Sequence, residues 1–91
     1  MATLRITKIK QEPSLILLKV EGAVVGECVG VLKEECKGWH QKNQTVQLDF
    51  SGVTSLSPEG IEMLRGMPPT LLQVIKSPEF IHHLLNFKEQ G

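Results

Sequence analysis

From Val46 to Phe50 the chain alternates apolar and polar (Val-Gln-Leu-Asp-Phe), the two-residue period of a strand with one buried face. A looser alternation over residues 3–11, with Leu4, Ile6 and Ile9 on one side, predicts another strand. Arg5, Lys8 and Lys10 make it too polar for the middle of a sheet, so it reads as an edge. Glu12-Pro13-Ser14 is a turn, and the nearly unbroken apolar run over 15–20 predicts a more central strand paired antiparallel with the first. Over 25–42 the period changes. Val25, Cys28, Val29, Leu32, Cys36 and Trp39 recur at steps of three and four, the apolar stripe of an amphipathic helix. Gly26 and Gly30 weaken its first turns: either they leave room for close approach to the sheet, or the helix starts later than residue 25. Lys42-Asn43-Gln44 ends it.

The strand at 45–50 leads across Ser51–Leu56 into Ser57-Pro58-Glu59, which reads as a helix start: Ser at the cap, Pro at the first helical position, an acid in the first turn. Ile61 and Leu64 are the apolar side of a short helix over 58–66, stopped by Gly66 and Pro68-Pro69. A fourth strand follows over 70–75. Ser77-Pro78-Glu79 repeats the cap signature and predicts a last helix over 78–88, with Phe80, Ile81, Leu84, Leu85 and Phe87 inward.

The order β-β-α-β-α-β-α has a topological consequence. Strand–helix–strand crossovers are right-handed, so two successive crossovers in one direction place their helices on one face. The expectation is a single α/β domain over 1–91: one four-stranded mixed sheet, order 1-2-3-4, strand 1 antiparallel, helices on one side. Thr45, Gln47 and Asp49 suit a bare second face, whereas Leu15 and Leu17 suggest that this face is partly covered or supports weak self-association.

Composition narrows the function classes. Ten Lys and Arg balance ten Asp and Glu, so the formal net charge is zero. Nucleic acid and anionic membrane both call for a basic surface, and neither is expected as a partner. The stretch MATLRITKIKQEP lacks the apolar run of a signal peptide, and no stretch is long and apolar enough to span a bilayer, which together predict a cytoplasmic location. Cys28 and Cys36 read as reduced core thiols. Cys36 and His40 share a helical face, yet the Cys/His spacing matches no zinc pattern, and no metal or other cofactor is expected. His82 and His83 read as a solvated face, and Trp39 as a lid on the core. No phosphate-binding glycine loop, nucleophile elbow or spaced pair of acids is present, so the chain reads as non-catalytic.

What remains is the strand-to-helix corner. Such a corner concentrates unpaired backbone N–H groups at the carboxyl ends of the strands, where ligands and partners dock in open sheets. The predicted binding surface is Ser55, Ser57, Pro58, Glu59 and Gly60, with Asp49 at the strand, for which a structural role in the turn is the other reading.

The stretch VQLDFSGVTSLSPEGIEML resembles the central motif of STAS domains, the family of sulfate transporters and anti-sigma-factor antagonists. Leu48-Asp49-Phe50-Ser51-Gly52-Val53-Thr54 fits its strand and turn, and Gly60-Ile61 fits the Gly-Leu that opens its helix. Val20-Glu21-Gly22 and Ile75-Lys76-Ser77-Pro78 resemble flanking segments, so the likeness covers most of the chain. It implies the sheet and helix order derived above. It also implies a regulatory module whose docking loop binds a protein, an anti-sigma factor or its kinase, or a nucleotide; the alternative is a small soluble subunit of a membrane transport complex. Two departures bear on mechanism. The family's Asp falls on Ser57 and its phosphoacceptor falls on Glu59, which cannot take phosphate. Glu59 then has two readings: a fixed charge standing where a phosphate would be, or a first-turn acid favoured by the helix dipole. The segment after Gly60 is also shorter than in the family.

Overall fold

The computed structural model describes residues 4–86, with side chains to residue 84. The elements in chain order are β1 (Leu4–Glu12), β2 (Leu15–Val24), α1 (Glu27–His40), β3 (Thr45–Leu56), α2 (Pro58–Arg65), β4 (Leu72–Lys76) and α3 (Glu79–Asn86). The strands form one sheet in the order β1-β2-β3-β4. The β1–β2 pair is antiparallel; β2–β3 and β3–β4 are parallel. This is the expected α/β architecture.

Strand alternation decides which side the helices cover. Ile16, Leu18 and Val20 of β2, with Val46, Leu48 and Phe50 of β3, are buried on one face. Leu32 and Cys36 of α1, Leu64 of α2 and Ile81 of α3 join the same cluster, so all three helices lie on that face. Full burial of a side chain such as Leu48 or Phe50 stabilises the fold by about 1.5–3 kcal/mol. On the open face, Gln47 Nε2 donates to Gln73 Oε1 at 3.1 Å, and Thr45 Oγ1 donates to the Thr70 carbonyl at 3.0 Å. Leu15 and Leu17 are half-buried there.

The central strands are longer than their apolar runs. The sequence pattern stops β2 at residue 20 and β3 at residue 50; they reach Val24 and Leu56. Each extension is the other's partner: Glu21 pairs with Gly52, Gly22 with Val53, Ala23 with Ser55 and Val24 with Leu56. Pairing and burial override the local preference of Gly22, Ser51 and Gly52 for turns. Two register shifts absorb the extra length of β3. At the first, Ser51 stands off the ladder and its N–H donates to Asp49 Oδ1 at 2.9 Å.

The stripe on α1 is narrower than predicted. Leu32 and Cys36 are fully buried, Val25, Cys28, Val29 and Trp39 are half-buried, and Val31 is exposed. The helix begins after Gly26, and the close approach expected at Gly26 and Gly30 is not there: both have open space where a Cβ would stand. Trp39 partly covers the core; its Nε1 donates to Glu35 Oε2 at 3.0 Å, and Lys42 Nζ lies 4.8 Å from its ring centre. The chain leaves α1 through Asn43 at φ 62°, a left-handed conformation that Asn tolerates. Gly66 ends α2 with an ordinary negative φ, so the prolines at 68 and 69 make the stop there. In α3, Ile81 is buried as predicted, but Phe80 is 44% exposed rather than inward. The inward positions expected for the Leu85 side chain and for Phe87 lie outside the described residues.

Candidate functional site

At the carboxyl ends of β2 and β3 two strand-to-helix corners stand side by side. The Ser57 N–H donates to the Val24 carbonyl at 3.0 Å and ties one corner to the other. Gly26 caps α1 at φ 55° and ψ −129°, without a side-chain hydrogen bond. The α2 corner uses side-chain chemistry instead. Ser57 is extended at its cap position, and its Oγ accepts from the Gly60 N–H at 3.2 Å. The first helical bond, Ile61 N–H to the Ser57 carbonyl, is 2.9 Å. Pro58 occupies the first helical position, where its missing N–H leaves no bond unmade.

Gly60 is buried, and the reason is steric. A Cβ built there would stand 2.7 Å from Leu56 Cδ1 and 3.3 Å from the Val24 carbonyl oxygen. Glycine lets the first turn of α2 lie against the ends of both strands. Gly60 therefore shapes the corner and offers no side chain to a partner. Ser55 and Ser57 are half-buried, whereas Pro58 and Glu59 are exposed. The outward surface of the predicted loop is mainly Pro58 and Glu59, with the two serines at its margin.

Asp49 belongs to another part of the molecule. It lies four β2 residues before the Ala23–Ser55 pair, as the partner of Lys19, about 13 Å along the strand from Ser55. Partial desolvation pushes its carboxyl up. The Ser51 hydrogen bonds, with Lys76 and Lys19 nearby, outweigh that and hold it below the usual value. Its visible task is to accept the N–H that the β3 irregularity takes off the ladder.

The thiols and imidazoles are dispersed. Burial, with Glu35 adding to it, pushes the Cys36 thiol up to about 12, so it is protonated at neutral pH. Cys28 is half-buried rather than in the core. The His40 ring nitrogen Nε2 lies 2.8 Å from the Leu71 carbonyl; a carbonyl only accepts, so this nitrogen carries the proton. The His82 and His83 rings are both exposed and stand edge to face, with centroids 6.3 Å apart, instead of pointing apart. Among the described residues no three His, Cys, Asp or Glu side chains converge as a metal site. No described helix is long and apolar enough to cross a membrane.

The chain matches no protein-family model and no curated protein.

Proposed function

We propose that this chain is a non-catalytic, STAS-like interaction module of the cytoplasm. In this reading it binds a regulatory protein, an anti-sigma factor or its kinase, through loop 55–60 and α2. The observation that supports it is the exposed carboxylate of Glu59 on a corner fixed from beneath by Ser57, Gly60 and Val24. A preorganised corner with one projecting charge suits docking, because little conformational freedom is lost when the partner arrives. Glu59 also stands where the resemblance puts the phosphoacceptor. A phosphate would add about −1.5 to −2 charge there; the carboxylate supplies a permanent single charge. The Ser57 hydroxyl is engaged as the cap. Binding is therefore constitutive.

Affinity capture from the native cells, with Glu59→Lys as comparison, tests the reading. A specific regulatory partner retained by the wild type and lost by the variant is the expected result. Capture of transporter subunits by the same surface would favour the transport alternative. A partner indifferent to the charge reversal would remove the docking surface, and stoichiometric phosphate on Ser55 or Ser57 that tunes binding would remove the constitutive mechanism. Titration with nucleoside triphosphates decides whether the nucleotide affinity implied by the resemblance is present.

A further inference from the structure

The two edges of the sheet are built differently. The β1 edge carries Arg5, Lys8, Lys10 and Glu12, and its register shifts between Lys8 and Lys10. Charges and an irregularity are the usual protection of a free edge against pairing. The β4 edge also has a register shift, between Val74 and Lys76, but far fewer charges. Between Gly66 and Phe80 the only charged residues are Lys76 and Glu79. Of the five exposed large apolar side chains among the described residues, three also fall here: Leu71, Ile75 and Phe80, at 40%, 42% and 44% exposure.

The backbone at this edge is unpaired in a self-complementary way. Val46 N–H donates to the Leu71 carbonyl, so residue 71 turns its carbonyl toward β3. Strand alternation then turns Gln73 toward β3 and directs both the N–H and the C=O of Val74 outward. The Leu72 N–H is already used by the Pro68 carbonyl at 3.0 Å, but the Leu72 carbonyl remains on the outward side. Among the described residues β4 pairs with β3 alone.

We propose that the β4 edge is a homodimer contact, in which β4 of a second copy pairs antiparallel about Val74 and joins two sheets into one of eight strands. In this register Val74 of each copy exchanges both of its outward hydrogen bonds with Val74 of the other, as an antiparallel hydrogen-bonded pair does. Leu72 lies toward Lys76 of the second copy, where the β4 register shifts past Val74. Gln73 stands opposite Ile75 of the second copy on the open face. No charge meets its like, and zero net charge leaves no long-range repulsion between copies. The arrangement is a closed two-fold, which consumes the edge and stops at two. A second copy fits better than a foreign strand because every outward group used finds its complement in the same strand. One short strand and three side chains make a small interface, below roughly 1,200 Å² in total, so the dimer is weak and depends on concentration. The contact does not involve loop 55–60 and is independent of the docking proposal.

Sedimentation equilibrium of the full chain over a wide concentration range is the test. The expected result is a mass rising from the 10.1 kDa of the monomer toward twice that value. Ile75→Lys, at an exposed position, should weaken association by about tenfold or more. Val74→Pro removes the outward N–H without touching the β3 ladder and should do the same, with circular dichroism confirming the fold. Ile9→Lys, on the protected edge, should leave association unchanged. Hydrogen exchange should show the Val74 amide slowing as concentration rises. A wild type that remains monomeric at the highest attainable concentration would overturn the proposal. So would association abolished by Leu17→Lys or Ile9→Lys and insensitive to Ile75→Lys, which would place the contact on the open face or on the β1 edge.

Discussion

The tripeptide Ser-Pro-Glu occurs twice, at 57–59 and at 77–79, each time where a parallel strand hands over to a helix. The two copies fold differently. At the first, the Ser57 carbonyl accepts the first helical bond and its hydroxyl caps the Gly60 N–H. At the second, Ile81 and His82 both donate to the Pro78 carbonyl, so Pro78 stands in the cap position and the helix starts one residue later. The residue that follows explains the difference. Gly60 fits beneath Leu56 and Val24, which draws the first turn onto the strands and puts Ser57 in place. Phe80 has a ring where Gly60 has a hydrogen, and it stays 44% exposed. A cap signature is thus only permissive; the packing of the first turn chooses the cap.

The largest expected effect comes from making the first corner resemble the second. Gly60→Val should destabilise the protein by about 2–3 kcal/mol, because its branched side chain overfills a closed site and the Val24 carbonyl is fixed backbone. Urea unfolding measures this, and an unchanged midpoint would sink the packing explanation. Next in size is the contrast between the serines. Ser57→Ala should cost about 1 kcal/mol, the usual value of a side-chain cap, and Ser77→Ala no more than a few tenths. Equal losses in the same urea assay would mean that the second corner is capped like the first.

The smallest effect is electrostatic and lies where the two strands leading to the corners meet. Asp49 pairs with Lys76, the residue that ends β4. Its folded carboxyl lies below the reference value of 3.8. Its contribution is therefore complete above that value, and is lost as pH falls from there through the lower folded value. The stability gap between wild type and Asp49→Asn should close over that acid range, and salt should shrink its lysine component. A gap that persists at still lower pH would show that shape, not charge, matters at this position.

Element order, strand order and the side on which the helices lie were legible because they follow from periodicity and crossover handedness. Ile16, Leu18, Val46 and Leu48 alternate with more exposed neighbours as a strand pattern demands. The ends of β2 and β3 were not legible. Gly22, Ser51 and Gly52 look like breakers when read one strand at a time, and only their mutual pairing makes them strand. At the candidate site, the cap role of Ser57 was legible from Ser-Pro-Glu. The burial of Gly60 was not, since it depends on Leu56 and Val24, one of them 36 residues away in the chain. Asp49 groups with the binding surface from its place on the strand that leads to the loop, and the length of β3 separates the two.

The parallel pairing of β2 with β3 also has a kinetic consequence. The β1–β2 hairpin closes across two residues, Pro13 and Ser14, and can form locally. The central pair cannot, because Leu15 meets Thr45 and Val24 meets Leu56 only after the intervening chain has looped back. Closing such a loop costs entropy before any contact repays it. The hairpin should therefore be able to appear early on the folding pathway, with the barrier crossed when β3 docks beside β2. Until then the apolar face of β2, the most adhesive surface of the chain, waits in water.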